Sequence, residues 1–292
     1  MRVAQRMGHV ALRVPDLEAT IRHYVEIVGL RVVEEVDGWT YLTCGPRHHD
    51  LMLREGEAAL DHFSFETWNP EAIDWLTARL NEDGVEIISE EPEEIELARA
   101  IRFRAPGGHV IEVYEGMGQV DGHYNGPGVR PRKYGHTTLR VLNLEEMATF
   151  LNRTVGLIQS DRVGAGIMWM RCDADHHGLA MLQGPQAGLH HHAWEVENWA
   201  YIETLGDHLM RNGQTFVFGP GRHGPGLNLF CYHLDPAGAC IEYFADMEQI
   251  HDDSNTGRVW PEVPESINQW GPAAPEAFMQ QCTPVLAPAA VA

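Results

Sequence analysis

A duplication constrains this chain more than any other feature. From Gly8 the sequence reads GHVALRVPDLEATIRHYVEIVGL and from Gly135 it reads GHTTLRVLNLEEMATFLNRTVGL, so Gly-His, Leu-Arg-Val and Val-Gly-Leu recur in one register without a gap. Both copies open as a strand and enter a helix through a cap, Asp16 or Asn143, whose short side chain can accept a bond from the first turn. Leu17, Ile21, Tyr24, Val25 and Val28 then share one helical face, and Gly29 and Gly156 stop the two helices. The register continues through RHHDLML at Arg47 and DHHGLAML at Asp175, LDHFSFE at Leu60 and LHHHAWE at Leu189, and APGGHVIEVYE at Ala105 and DPAGACIEYFA at Asp235. Each copy is about 110 residues, far longer than a solenoid unit of roughly 20–50. Two tandem domains follow.

A smaller period lies inside each copy. A strand at Asp61 leads to a helix over 70–80 and then to strands ending near Tyr114. In the second copy Asn198 caps a helix whose Trp199, Ile202, Leu205 and Leu209 share a face before Gly213. Four β-α-β-β-β units describe the chain, an α+β architecture. The segments are then an N-terminal domain over 1–117, a Gly- and Pro-rich linker over 118–133, a C-terminal domain over 134–250, and a Pro-rich tail over 251–292. Trp260, Trp270 and Phe278 predict a partly docked tail, with its last ten residues loose.

Composition removes several classes. With 42 acidic against 21 basic residues, a formal charge of −21 argues against nucleic acid as a partner. No window approaches the roughly 18–20 apolar residues of a membrane span, and no leader precedes the first strand, so no membrane partner and a cytoplasmic location are expected. Cys44, Cys172, Cys231, Cys240 and Cys282 form no CxxC pair and read as reduced thiols.

The C-terminal copy places two imidazoles and a carboxylate on strands. Side chains alternate across a strand, so His136 and Thr138 share one face, and His191 points opposite to His192 and Trp194. Around Glu242, Ile241 and Tyr243 are suited to pack under helices while the carboxylate faces the concave side. His136, His191 and Glu242 could then converge in the hollow of a curved sheet. Two imidazoles and one carboxylate leave open positions on a metal, the facial triad of non-haem Fe(II) oxygenases; zinc or nickel would fit the same ligands in another chemistry. By alternation His176, His190 and His192 read as core-satisfied residues of the opposite face. The Asp235-Pro236-Ala237-Gly238 run reads as the turn that aims the Glu242 strand.

Paired β-α-β-β-β modules with His, His and Glu at these positions resemble the vicinal oxygen chelate superfamily. Within it, Gly221, His223, Tyr232, Asp235, Pro236, Gly238 and Glu242 resemble the fingerprint of type I extradiol catechol dioxygenases, with Cys231 at a packing position that is usually aliphatic or Phe. The resemblance covers about Met7 to Asp246. It implies two tandem domains, each a curved mixed sheet around a metal hollow. It further implies Fe(II), alternatively Mn(II), held by His136, His191 and Glu242; dioxygen as co-substrate; a catecholic substrate; and a homo-oligomer.

The same resemblance makes His177 the acid/base group, His223 a donor toward the oxygen species and Tyr232 a donor to a substrate oxygen. Trp169 and the GPGRHG run at Gly219 resemble the homoprotocatechuate-type branch, and Thr138 and Phe218 are expected beside the substrate with Trp169. That branch holds its substrate's carboxylate with an Arg where this chain has Phe218, so an apolar or aryl substituent is expected, with Arg222 as a candidate replacement.

His9, His62 and Glu112 occupy the N-terminal ligand positions and His49 stands opposite His177, but Arg102 and Glu93 stand where Tyr232 and His223 do. The N-terminal domain is therefore expected to be catalytically silent, a scaffold and oligomer contact. A glyoxalase-like lyase or isomerase, and a non-catalytic binding protein, are the other classes this fold serves.

Overall fold

A computed structural model describes residues 1–121, 124 and 126–287. Residues 122, 123 and 125 of the expected linker and 288–292 of the expected loose terminus lie outside the described residues.

Two mixed sheets are built to one plan. In the first, Arg6–Val14 and Ala59–Thr67 form the central antiparallel pair, flanked in parallel by Leu51–Glu55 and Val110–Met117. In the second, Lys133–Val141 and Gly188–Glu195 form that pair, flanked in parallel by Leu179–Gln183 and Cys240–Ala245. The remaining strands extend both sheets in the same order. Parallel neighbours need a crossover, and each β-α-β unit supplies one. The paired sheets and their helices are the predicted α+β arrangement of two tandem vicinal-oxygen-chelate domains.

The Gly-His repeat has a steric cause. A Cβ on Gly135 would meet the Phe244 ring at 2.3 Å, and one on Gly8 would meet Ser64 Oγ at 2.3 Å. Glycine lets the neighbouring strand close in just before His136 or His9.

The caps form where the sequence places them. Asp16 accepts from Ala19 N at 2.9 Å, Asn143 from Glu146 N at 3.2 Å and Asn198 from Ala200 N at 3.0 Å. The helix expected over 70–80 runs Ala72–Glu82 and buries Ala72, Ile73, Leu76 and Leu80. The first helix, Leu17–His23, widens into a π turn over Tyr24–Val28. That turn drives Tyr24 into the C-terminal domain, where its hydroxyl meets His192 Nε2 at 2.9 Å and donates to Asp235 at 3.2 Å. One apolar core, from Val3 to Ala245, runs through both modules. Burying a side chain of this size contributes about 1.5–3 kcal/mol over leaving it exposed, so the seam is structural.

The tail is docked further than expected. Arg258–Trp260 adds an edge strand beside Ile158–Val163, and Thr283–Pro284 pairs with Gly188–Leu189. Leu286 N donates to Leu60 O at 2.9 Å, so the terminus is held through residue 286, where the composition suggested a loose end. Backbone donors and acceptors offered by the sheet edge override the Pro-rich sequence there.

Candidate metal centre and active site

Three adjacent strands carry the expected ligands into one hollow. His136 sits on Lys133–Val141, His191 on Gly188–Glu195 and Glu242 on Cys240–Ala245. One ligand atom from each lies within 4.8 Å of the others, and all three residues are buried. Glu242 Oε2 is 3.0 Å from Nε2 of both His136 and His191. Burial alone would raise the Glu242 carboxyl, but the two facing imidazoles outweigh it and hold the group well below the usual carboxylate range. Its other oxygen accepts from Asn228 Nδ2 at 3.3 Å.

Among the described residues only imidazoles lie within ion-pair distance of this carboxylate: His136, His191 and, at 3.8 Å, His223. Burial lowers the His191 pKa despite Glu242, which favours its neutral, ligand-competent form. A buried carboxylate without a cationic partner, facing two ring nitrogens, is the donor set a divalent ion needs. The residues fit a metal.

Hydrogen-bond chains fix which ring nitrogens are free. His190 Nε2 is 2.9 Å from Phe278 O, so that nitrogen carries the proton and donates. His190 Nδ1 must then accept from His191 Nδ1 at 2.7 Å, which makes His191 Nε2 the nitrogen that faces Glu242 and the one that would face an ion. A second His pair stands beside a carboxylate, at ion-pair distance but, among the described residues, with no hydrogen bond at its outer nitrogen. Asp161 Oδ2 is 3.2 Å from His176 Nε2, and His176 Nδ1 is 3.0 Å from His177 Nδ1. A proton on His176 Nε2, facing that carboxylate, would let Nδ1 accept from His177 and leave His177 Nε2 as the nitrogen with a free lone pair. Burial, then His136 and His176, push the His177 pKa well below its ordinary value, so the ring is neutral.

Across the hollow, His223 Nδ1 donates to Ile267 O at 2.6 Å, and Nε2 accepts from the Tyr232 hydroxyl at 2.9 Å. Burial lowers His223 to about 4 and raises Tyr232 well above 10. This pair therefore holds one proton, on the phenol. His223 becomes the donor expected from sequence only after receiving a proton.

Thr138 and Trp169 line the hollow with His136, His177, His191 and His223. Phe218 does not. It packs behind Tyr232, stacked at 5.9 Å, and against Phe230 and Phe278, because the irregular pairing between Phe218 and Gly221 turns it into a small apolar cluster. Arg222 is also directed elsewhere, donating to Leu227 O and lying over Trp270. His190 departs from strict alternation: a register shift between Leu189 and His191 lets both His190 and His191 reach the hollow. His192 keeps the opposite face, as expected, and accepts from Trp194 Nε1 at 3.0 Å.

Sequence reasoning missed Asn228, the His190 chain and the tail carbonyls of Ile267 and Phe278. Only the adjacent His pairs carried a signal for these relays.

The chain belongs to the Glyoxalase/Bleomycin resistance protein/Dioxygenase superfamily, whose model matches residues 6–113 and again 133–243. A manganese-dependent 2,3-dihydroxybiphenyl 1,2-dioxygenase from Geobacillus genomosp. 3 is 29% identical over 295 residues, covering 91% of this chain and 94% of that protein. Metapyrocatechase 2 from Cupriavidus necator is 27% identical over 299 residues, covering 94% and 91%. Homoprotocatechuate 2,3-dioxygenase from Brevibacterium fuscum shares the fold, with a TM-score of 0.90 over 97% of this chain and 93% of that one at 22% identity.

Proposed function

We propose that this chain is an extradiol ring-cleaving dioxygenase that inserts both atoms of dioxygen into a catechol beside the diol. The observation that carries this is the buried His136–His191–Glu242 cluster with a basic imidazole, His177, on one side and the His223–Tyr232 pair on the other. A ring-opening oxygenation needs both a proton acceptor and a proton donor beside its metal.

His136, His191 and Glu242 would hold Fe(II), with Mn(II) as the alternative that the Geobacillus relative's name favours. When bound, the metal supplies a Lewis acid that brings diol and dioxygen together and couples their electrons. His177 Nε2 takes a hydroxyl proton from the catechol and returns it later in the reaction. On substrate binding the Tyr232 hydroxyl would turn its hydrogen from His223 Nε2 to an oxygen on the ring, which frees that nitrogen to take up the second hydroxyl proton and pass it on. Trp169 walls the ring, and the mostly apolar hollow excludes water from the reacting groups.

A cavity of about 410 Å³ adjoins the hollow and shares Ile167, Ile267 and Met279 with its lining. Among the described residues its one charged lining group is the acidic Glu262, and neither Lys nor Arg lines either space. The substrate class is accordingly a catechol with an apolar or aryl substituent. A carboxylate there would meet Glu262 and no cation.

Five free cysteines, four of them buried, suit the reducing cytoplasm, and no helix among the described residues is long and apolar enough to cross a membrane. Light scattering tests the homo-oligomer implied by resemblance.

The decisive assay uses anaerobically purified protein, with iron and manganese determined and oxygen uptake followed on adding catechol. Oxygen consumption with rising visible absorbance is expected. Bound metal without uptake would point to a lyase or isomerase instead. Higher kcat/KM for 3- or 4-alkylcatechols than for 3,4-dihydroxyphenylacetate is expected; the reverse order removes the substituent assignment.

A further inference from the structure

The N-terminal module rebuilds the ligand cluster and adds a fourth member. His9, His62 and Glu112 occupy the positions of His136, His191 and Glu242, and Glu94 joins them; one ligand atom from each lies within 4.8 Å of the rest. His9 Nε2 is 3.1 Å from His62 Nε2 and 3.6 Å from Glu112 Oε1, and His62 Nε2 is 3.3 Å from Glu94 Oε1. All four residues are buried.

The module differs in what stands opposite the carboxylate. Arg102 pairs with Glu112 across the strands as Tyr232 pairs with Glu242. One guanidinium nitrogen, Nη2, is 2.9 Å from Glu112 Oε2 and 3.5 Å from His62 Nε2, and it bonds Glu94 Oε1 as well. A single cationic nitrogen thus touches three of the four ligand residues. The second oxygens, Glu94 Oε2 and Glu112 Oε1, are buried without a hydrogen-bond partner, so the cluster has more acceptor capacity than Arg102 satisfies.

We propose that this cluster is a second divalent-cation site held shut by Arg102, whose guanidinium takes the place of the ion. The ligand class follows from the donors. Two imidazoles and two carboxylates suit a borderline divalent ion such as Mn(II), Fe(II), Co(II) or Zn(II). Like charge excludes that ion while Arg102 is present, and a neutral residue there admits it.

The test counts ions. EDTA-stripped full-length protein is dialysed against Mn(II), and metal per chain is measured for wild type, Arg102→Gln, Arg102→Met, and each with His62→Ala. Either Arg102 variant is expected to bind one more Mn(II) per chain than wild type, to lose that extra ion with His62→Ala, and to melt at a higher temperature in Mn(II) than in EDTA by more than wild type does. Because the readout is the increment, it stands whether or not the C-terminal centre behaves as proposed. No increment, or one insensitive to His62→Ala, overturns the assignment. If neither variant folds, Arg102→Tyr, which puts the C-terminal module's residue at that position, takes their place, with the same increment expected and its absence overturning the assignment.

Discussion

Among the described residues Glu242 of the C-terminal module faces only imidazoles, an amide and the Tyr232–His223 pair, whereas in the N-terminal module Glu112 and Glu94 share the guanidinium of Arg102. The spacing of the inner and outer imidazoles is the same in both modules. His136 and His177 have ring centroids 4.4 Å apart, and His9 and His49 have theirs 4.5 Å apart. His176–His177 and His48–His49 both stand edge to face at 5.2 Å. Each outer imidazole meets a carboxylate, Asp161 for His176 and Glu34 for His48. The modules differ at Asp61 against His190 and in the added Glu94, but the difference in charge facing the carboxylate lies at one cross-strand position, Tyr232 or Arg102. A buried carboxylate needs a positive partner, and that position decides whether the chain supplies it or must take it from solution.

Removing ligands from one module and then the other is the hardest test of that contrast. Glu242→Ala or His136→Ala should lower oxygen uptake about a thousandfold or more, roughly 4 kcal/mol of transition-state stabilisation, and release the C-terminal metal. His62→Ala in the otherwise native chain should leave turnover intact provided circular dichroism shows the fold retained. Loss of activity in a folded His62→Ala protein would move the catalytic centre or divide it between modules.

A smaller effect separates the two inner imidazoles. His177→Phe should lower kcat about 10²–10⁴-fold with metal still bound, the usual contribution of a positioned acid/base, while His49→Phe should not change kcat. Steady-state kinetics with a metal assay on the same preparations gives both answers.

How much of this was legible depended on what fixes each side chain. His136, His191 and Glu242 could be read because strand alternation is rigid and the duplication supplied the register. His190 could not, because a one-residue register shift beside Leu189 breaks the alternation and leaves no mark in composition. The repeat register puts Glu93 in the place of His223, but Glu94 is the residue that reaches His62, while Glu93 meets Arg102 from the solvent side. Phe218 was displaced by irregular pairing of the same kind. Ile267 and Phe278 contribute backbone carbonyls, which any residue possesses, so no sequence pattern could announce them.

The His190 relay turns one of those illegible features into a measurement. Its chain from Phe278 O orients His191, and the N-terminal module has Asp61 in that role, 3.0 Å from His62 Nδ1. His190→Phe should weaken metal affinity by about 10–100-fold, as loss of an orienting partner usually does. Titration with buffered Mn(II) would show it. Unchanged affinity would mean that strand packing alone aims His191.

The seam between the modules carries the most easily masked effect. Burial holds His23 at about 4 and lowers His192 to about 3, whereas burial lifts Asp235 to about 6 against its hydrogen bonds from Ala239, Tyr24 and neighbouring backbone. These groups pull in opposite directions. An unfolded His takes a proton near its ordinary value of about 6.5 while the folded one does not, so His23 and His192 withdraw stability as pH falls from there toward 4. Folded Asp235 takes up its proton near pH 6 while the unfolded chain waits until about 3.9, so Asp235 returns stability over the same interval. Asp235→Asn keeps an acceptor for Ala239 N but removes that return, and the variant should lose stability more steeply between pH 6 and 4 than wild type does. The difference has an upper bound of about 3 kcal/mol, because each tenfold change in proton affinity between the folded and unfolded chain is worth roughly 1.4 kcal/mol. Urea unfolding of both proteins across that interval measures it, and parallel curves would mean that the Tyr24–Asp235 contact does not couple the modules through a proton.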